Sequence, residues 1–218
     1  AILFVLNIER KKEISFMIAI PQCLDFADAR LTKDICEFYL RMLEIKNREI
    51  YLHSQQVANY SASTAAKLGL PASEVSQIKT AALLHDIGKI GIPDAILNKP
   101  GRLTDEEYAV MKTHVTRGGE ILKDFTMIDN VSVGALYHHE RYDGSGYCVG
   151  LKGEEIPLDA RIIGIADAFD AMTANRVYRK QLDIDFVIGE LKRCSGTQFD
   201  PKLVEVFLRW VAVYPAGC

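Results

Sequence analysis

The chain has 218 residues, 49% hydrophobic and 25% charged, with 15 Gly and 7 Pro; this excludes collagen-like, mucin-like and low-complexity classes and allows one sizeable core. Lys and Arg number 26 against 29 Asp and Glu, so the net charge is −3 and no overall basic field is available to hold long nucleic acid; an anionic ligand needs a local basic cluster. Five scattered cysteines, Cys23, Cys36, Cys148, Cys194 and Cys218, form no CxxC pair, which suits a reducing cytoplasm.

The apolar runs at residues 1–8 and 14–24 are separated by Glu9-Arg10-Lys11-Lys12-Glu13, and neither reaches the roughly 18 to 20 residues that a membrane-spanning helix needs. The charges follow the first run instead of preceding it, which argues against a cleaved signal peptide. The chain opens without Met inside an apolar run, so we expect a piece of a longer protein. Residues 1–20 read as two short strands or the end of a linker helix. Residues 1–44 read as a linker or the end of an upstream regulatory unit, ahead of a main domain over 45–218.

Beyond that segment apolar residues recur at three- and four-residue intervals, so the expected fold is all-α. The pattern predicts helices over 32–46, over 49–68 with a stop at Gly69-Leu70-Pro71, and over 72–85. A capping box, Thr104-Asp105-Glu106-Glu107, opens a helix predicted to run to residue 124. Further helices are predicted over 128–139, 159–174, 183–194 and 201–211, the last with Asp200 as cap and Pro201 at its first position. Between them Gly144, Gly146, Gly150, Gly153 and Pro157 make residues 140–157 an extended surface loop.

All five histidines, His53, His85, His114, His138 and His139, lie at or near predicted helices, and two of these sites are doublets, His85-Asp86 and His138-His139. One helical His is more often a surface or hydrogen-bonded residue than a ligand, but neutral imidazoles together with carboxylates are what first-row divalent metals bind. Asp167 adds an acid in the middle of an apolar helix, where an unpaired charge is costly. Glu49 stands four residues before His53 and shares its face; it either joins the same cluster, pairs with Lys46 or Lys67, or faces solvent. Asp170, one turn after Asp167, either orients a ligand or sits on the helix surface.

The order and spacing of these residues resemble the HD-GYP family, a branch of the HD superfamily of metal-dependent phosphohydrolases. The resemblance covers about residues 45–212. It is carried by His85-Asp86-Ile87-Gly88-Lys89-Ile90-Gly91-Ile92-Pro93-Asp94, by Leu97-Asn98-Lys99-Pro100-Gly101-Arg102-Leu103-Thr104 and by His138-His139-Glu140-Arg141-Tyr142-Asp143-Gly144-Ser145-Gly146-Tyr147. It implies an HD-type helical bundle and hydrolysis of cyclic di-GMP, or of the related cyclic GMP-AMP, to a linear dinucleotide and onward to GMP. It also implies an upstream sensory or receiver domain, contact with a diguanylate cyclase domain, and a homodimer. Two departures stand out: Gly146-Tyr147-Cys148 replaces Gly-Tyr-Pro, which predicts a more mobile loop, and Arg176-Val177-Tyr178-Arg179 replaces Arg-Pro-Tyr-Arg.

Two ions about 3.5–4 Å apart can hold a bridging hydroxide in line with phosphorus and clamp a non-bridging oxygen. We expect Asp86 to bridge them, with His85 and Asp167 completing one site and His114, His138 and His139 the other. Glu49, which matches the extra glutamate of three-metal members, would with His53 recruit a third ion. Fe or Mn is expected, and Ni or Zn accepts the same donors. Lys89, in the HD-x-x-K match, is expected to act beside Asp86 in catalysis, donating to developing charge. Arg176 and Arg179 would grip the second phosphate or a guanine edge, and Tyr147 would stack on a base or position its loop. The alternatives are a module that binds the messenger without cleaving it, and an HD-type di-iron oxygenase.

Overall fold

The computed structural model describes residues 29–125, 130–174 and 181–211. The predicted N-terminal strands or linker helix, Arg176 and Arg179 lie outside the described residues. Among these, the elements are α1 (Ala29–Lys46), α2 (Arg48–Lys67), α3 (Ala72–Leu84), a 3-10 turn (Ile87–Gly91), α4 (Asp94–Leu97), α5 (Asp105–Lys112), α6 (His114–Leu122) and α7 (Val131–Tyr137). A second 3-10 turn (Gly153–Glu155) then precedes α8 (Leu158–Thr173), α9 (Ile184–Arg193) and α10 (Pro201–Val211). No strand occurs among the described residues, only a bridge between Ser195 and Phe199, so the all-α expectation holds.

α2, α3 and α8 form the centre. α8 is apolar over most of its circumference, burying Ile162, Ile163, Ile165, Ala166 and Phe169, as a helix enclosed by its neighbours must be. Against it pack Val57 and Ala58 of α2, Ala81 and Ala82 of α3, and Val187, Leu191, Val204 and Phe207 of α9 and α10. Aromatic edges tie this layer together: Tyr60 meets Phe169 at 5.1 Å, Phe169 meets Phe207 at 5.2 Å and Phe207 meets Trp210 at 5.3 Å between ring centroids. A second cluster joins Leu84, Ile87, Leu122, Val131 and Ala135 to Cys36 and Leu43 of α1. Thus α1, within the expected linker segment, shares the core of the main domain.

Caps follow the sequence where side chains can supply them. Asn47 accepts from the Glu49 and Ile50 amides to open α2, and the Thr104–Glu107 capping box opens α5. The Lys202 amide donates to Asp200 Oδ1 at 2.8 Å at the start of α10.

The helix expected over 104–124 is instead two helices with a break at Thr113. Thr113 Oγ1 donates to the Val110 carbonyl at 2.7 Å and His114 Nδ1 donates to the Met111 carbonyl at 2.7 Å. Side chains thereby take carbonyls that the helical ladder would use, and the break fixes the direction of His114.

Candidate metal centre

His85, His114 and His138 each sit at a helix end: the C-cap of α3, the start of α6 and the C-cap of α7. Each donates Nδ1 to a carbonyl of its own chain segment, at Ala82 (2.7 Å), Met111 (2.7 Å) and Gly134 (2.8 Å). A carbonyl can only accept, so the proton is fixed on Nδ1 and each Nε2 lone pair points inward.

Those lone pairs converge on Asp86, which is 1% exposed. His85 Nε2 lies 3.4 Å from Asp86 Oδ2, while His114 and His138 Nε2 lie 3.5 and 4.0 Å from Oδ1. His114 and His138 Nε2 are 3.4 Å apart. The approach depends on Gly88, because a Cβ there would lie 1.9 Å from the His114 carbonyl oxygen and 2.5 Å from the Gly118 nitrogen. No side chain fits where the 3-10 turn meets α6.

His53 enters from α2 between two acids of α8. Its Nδ1 donates to Asp170 Oδ2 at 2.6 Å, and its Nε2 lies 2.9 Å from Asp167 Oδ1. Asp170 therefore orients an imidazole from behind. Donor atoms of His53, His85 and Asp86 lie within 4.8 Å of one another, as do those of His114, His138 and His139. The structure thus brings His114, His138 and His139 together and brings His53 beside His85 and Asp86.

The electrostatics suit cations. Burial works against charge on His114, His138 and His139 and holds all three below the usual imidazole range, His139 at about 4. They are neutral near pH 7 and have no proton to lose on binding a metal. Burial disfavours the Asp86 carboxylate, but Lys89 and then His85 hold its pKa well below the ordinary value. Burial likewise opposes charge on Asp167, yet the His53 hydrogen bond keeps it ionised. For His53, burial lowers the pKa, and the bonds to Asp167 and Asp170 outweigh it, raising the value to about 9.

Among the described residues, the buried atoms His85 Nε2 and Asp86 Oδ1 have no hydrogen-bond partner. Leaving both unsatisfied is costly, and a divalent cation between them would satisfy a lone pair and a carboxylate oxygen together. The residues present therefore fit metal ions.

Lys89 Nζ bonds Asp86 Oδ2 at 2.5 Å, so it sits at the centre of the cluster. Glu49 is exposed; it lines a cleft of about 520 Å3 together with His53, Lys89, His114, His139 and Tyr147, at the rim of both triads and outside them. Tyr147 stacks on His139, with centroids 4.8 Å apart and planes at 28°.

The 140–157 loop is tied down by Glu140, a residue that sequence reasoning left without a role. Glu140 is 7% exposed and Oε1 accepts from the Val149 and Gly150 amides at 2.8 and 3.1 Å. The Tyr142 and Asp143 amides donate to the Gln198 and Thr197 carbonyls. A Cβ on Gly146 would lie 2.6 Å from Glu140 Cα, so the loop folds directly onto the residue following the histidine doublet. Its acidic side chain beside His139 was the available signal.

The result is an α-helical domain whose clustered histidines and ionised aspartates are able to hold metal ions. The HD domain family matches residues 37–203, and the chain belongs to that family. The HD-GYP resemblance is borne out by the relatives. The chain is 41% identical over 178 residues to "Cyclic di-GMP phosphodiesterase" of Thermotoga maritima, covering 81% of this chain and 48% of the relative. It is 41% identical over 179 residues to "3'3'-cGAMP-specific phosphodiesterase 2" of Vibrio cholerae, covering 81% of this chain and 34% of the relative. The chain thus spans half or less of these relatives. Its fold is similar to the crystal structure of the L. monocytogenes phosphodiesterase PgpH HD domain in complex with cyclic-di-AMP, with TM-score 0.58 and 21% identity over 83% of this chain and 98% of that one. No helix among the described residues is long and apolar enough to cross a membrane.

Proposed function

We propose that this chain is the catalytic domain of a cyclic dinucleotide phosphodiesterase that opens cyclic di-GMP, and 3'3'-cGAMP as a secondary substrate, to linear dinucleotides. The observation that carries the reading is the convergence of His85, His114 and His138 Nε2 on one buried carboxylate whose outer oxygen has no partner.

His53, His85, Asp86, His114, His138, His139 and Asp167 would hold two divalent transition-metal ions, Fe or Mn in this reading although Ni or Zn accepts the same donors, and Glu49 would bind a third at the rim. When bound, such ions supply the Lewis acidity that makes water nucleophilic and offsets phosphoryl charge. Asp86, a member of the first triad whose Oδ1 faces His114 and His138 of the second, would hold the two in one frame, and Lys89 keeps it ionised. Lys89 is also the ammonium in the cleft that faces negative charge as it grows on the phosphoryl group, which makes it and Asp86 the proposed catalytic pair. Asp170 accepts the His53 Nδ1 proton and so turns Nε2 toward Asp167 and Asp86, where displacement of its proton would open it to an ion. Tyr147 covers His139 and narrows the access of bulk water to it. Arg176 and Arg179, nine and twelve residues beyond Asp167, are proposed to grip the phosphate that is not cleaved.

Chromatography of products tests this. Metal-reconstituted protein is expected to convert cyclic di-GMP to the linear dinucleotide, and intact messenger after prolonged incubation would contradict the reading.

A further inference from the structure

The Tyr147 ring has little free face with which to stack on a substrate base. One face lies on His139, and Tyr108 meets it edge-on with centroids 6.4 Å apart and planes at 73°. Lys112 Nζ lies 5.8 Å from its centroid and 5.2 Å from that of Tyr108. The exposed ring at this place is Tyr108 itself, with 48% of its surface open.

Tyr108 also occupies a junction. It lines the 520 Å3 cleft with His114, His139, Lys89 and Tyr147, and it lines a second cleft of about 320 Å3 with Arg141, Tyr147 and Asp167. The His139–Tyr147 stack borders both clefts, and Tyr108 borders both at its outer end. A rigid, half-exposed aromatic ring beside the groups that would hold a phosphate is what a nucleobase needs for stacking.

The helix that carries this ring is short and surface-bound, with no buried residue, yet it is anchored. Its capping box is closed in both directions, and Lys99 Nζ bonds Glu107 Oε2 at 2.6 Å. Lys112, one turn after Tyr108, places a cation over both rings. No packing demand of the core explains a large exposed aromatic at this position.

We propose that Tyr108 is the base platform of the cleft, stacking on one purine of the cyclic dinucleotide while its phosphate is held at the His/Asp centre, with Lys112 as the residue that positions the ring. This inference rests on the function proposed above. The platform touches a base and not the reacting phosphorus, so it binds ground and transition states alike and acts on KM.

Steady-state kinetics with cyclic di-GMP on the metal-loaded chain decides it, comparing wild type, Tyr108→Ala and Tyr108→Phe. Losing a base stack raises KM roughly tenfold or more in Tyr108→Ala with kcat within about twofold, and Tyr108→Phe, which keeps the ring, restores the wild-type KM. An unchanged KM in Tyr108→Ala, equal losses in the Ala and Phe variants, or a loss confined to kcat overturns the platform. A wild type that turns over no cyclic di-GMP overturns the proposed function before any variant is compared, and the platform falls with it.

Discussion

Histidines that sit at helix ends and spend Nδ1 on a local carbonyl reach the centre already in the right tautomer, and Asp170 fixes the orientation of His53 through its Nδ1. Asp170→Asn should keep the shape but weaken the acceptor, lowering metal affinity about 10- to 100-fold, as competition with a chelator would show. An unchanged affinity would mean that Asp170 is merely buried beside His53. Glu49 poses a different question, because it lies exposed at the rim of the cleft. Glu49→Ala is expected to lower the bound metal by one ion per chain and leave the others, measured by elemental analysis; an unchanged count would remove Glu49 from the ligand set.

At the scale of elements, the 3-10 turn against α6 is the tightest constraint on the site. Gly88→Ala places a methyl group against the backbone at His114, which cannot swing aside as a side chain can. The variant should lose thermal stability and metal together, whereas Phe207→Ala, in the apolar α8–α10 layer and outside the His/Asp cluster, should cost about 3–5 kcal/mol of stability while the folded fraction keeps its metal. Denaturant melts with paired metal analysis separate the two. The same turn shows what a sequence can and cannot convey. Apolar periodicity and the Thr104 and Asp200 caps mark where helices form, and the histidine–aspartate order marks the cluster. The break at Thr113 was not legible, because Thr113 and His114 side chains compete for helix carbonyls inside an otherwise continuous pattern. Nor could spacing assign His53 to the His85–Asp86 triad, since that grouping depends on how α2 packs across α8. Nothing in the spacing singles out Tyr108, because its ring partner Tyr147 is distant in the chain.

For the whole molecule, the buried imidazoles link folding to pH. His114, His138 and His139 take up protons less readily when folded than when unfolded, so their contribution is present above about pH 6.5 and is lost as the pH falls toward 4. His53 has the opposite sign: its value is raised to about 9, so its contribution is present below about pH 6.5 and is lost as the pH rises through 9. The metal-free protein is therefore expected to melt at its highest temperature near pH 6.5, with a fall on both sides; a melting temperature that stays flat from pH 5 to 9 would contradict this balance. The account as a whole turns on Asp86, which belongs to one triad, faces His114 and His138 of the other, and is proposed to hold metal with both. Elemental analysis of anaerobically reconstituted wild type and Asp86→Ala tests it most directly. At least two transition-metal ions per chain in the wild type, and their loss in the variant together with cyclic di-GMP cleavage, is the predicted result; fewer than one ion per chain in the wild type, or full metal retention without Asp86, would contradict it.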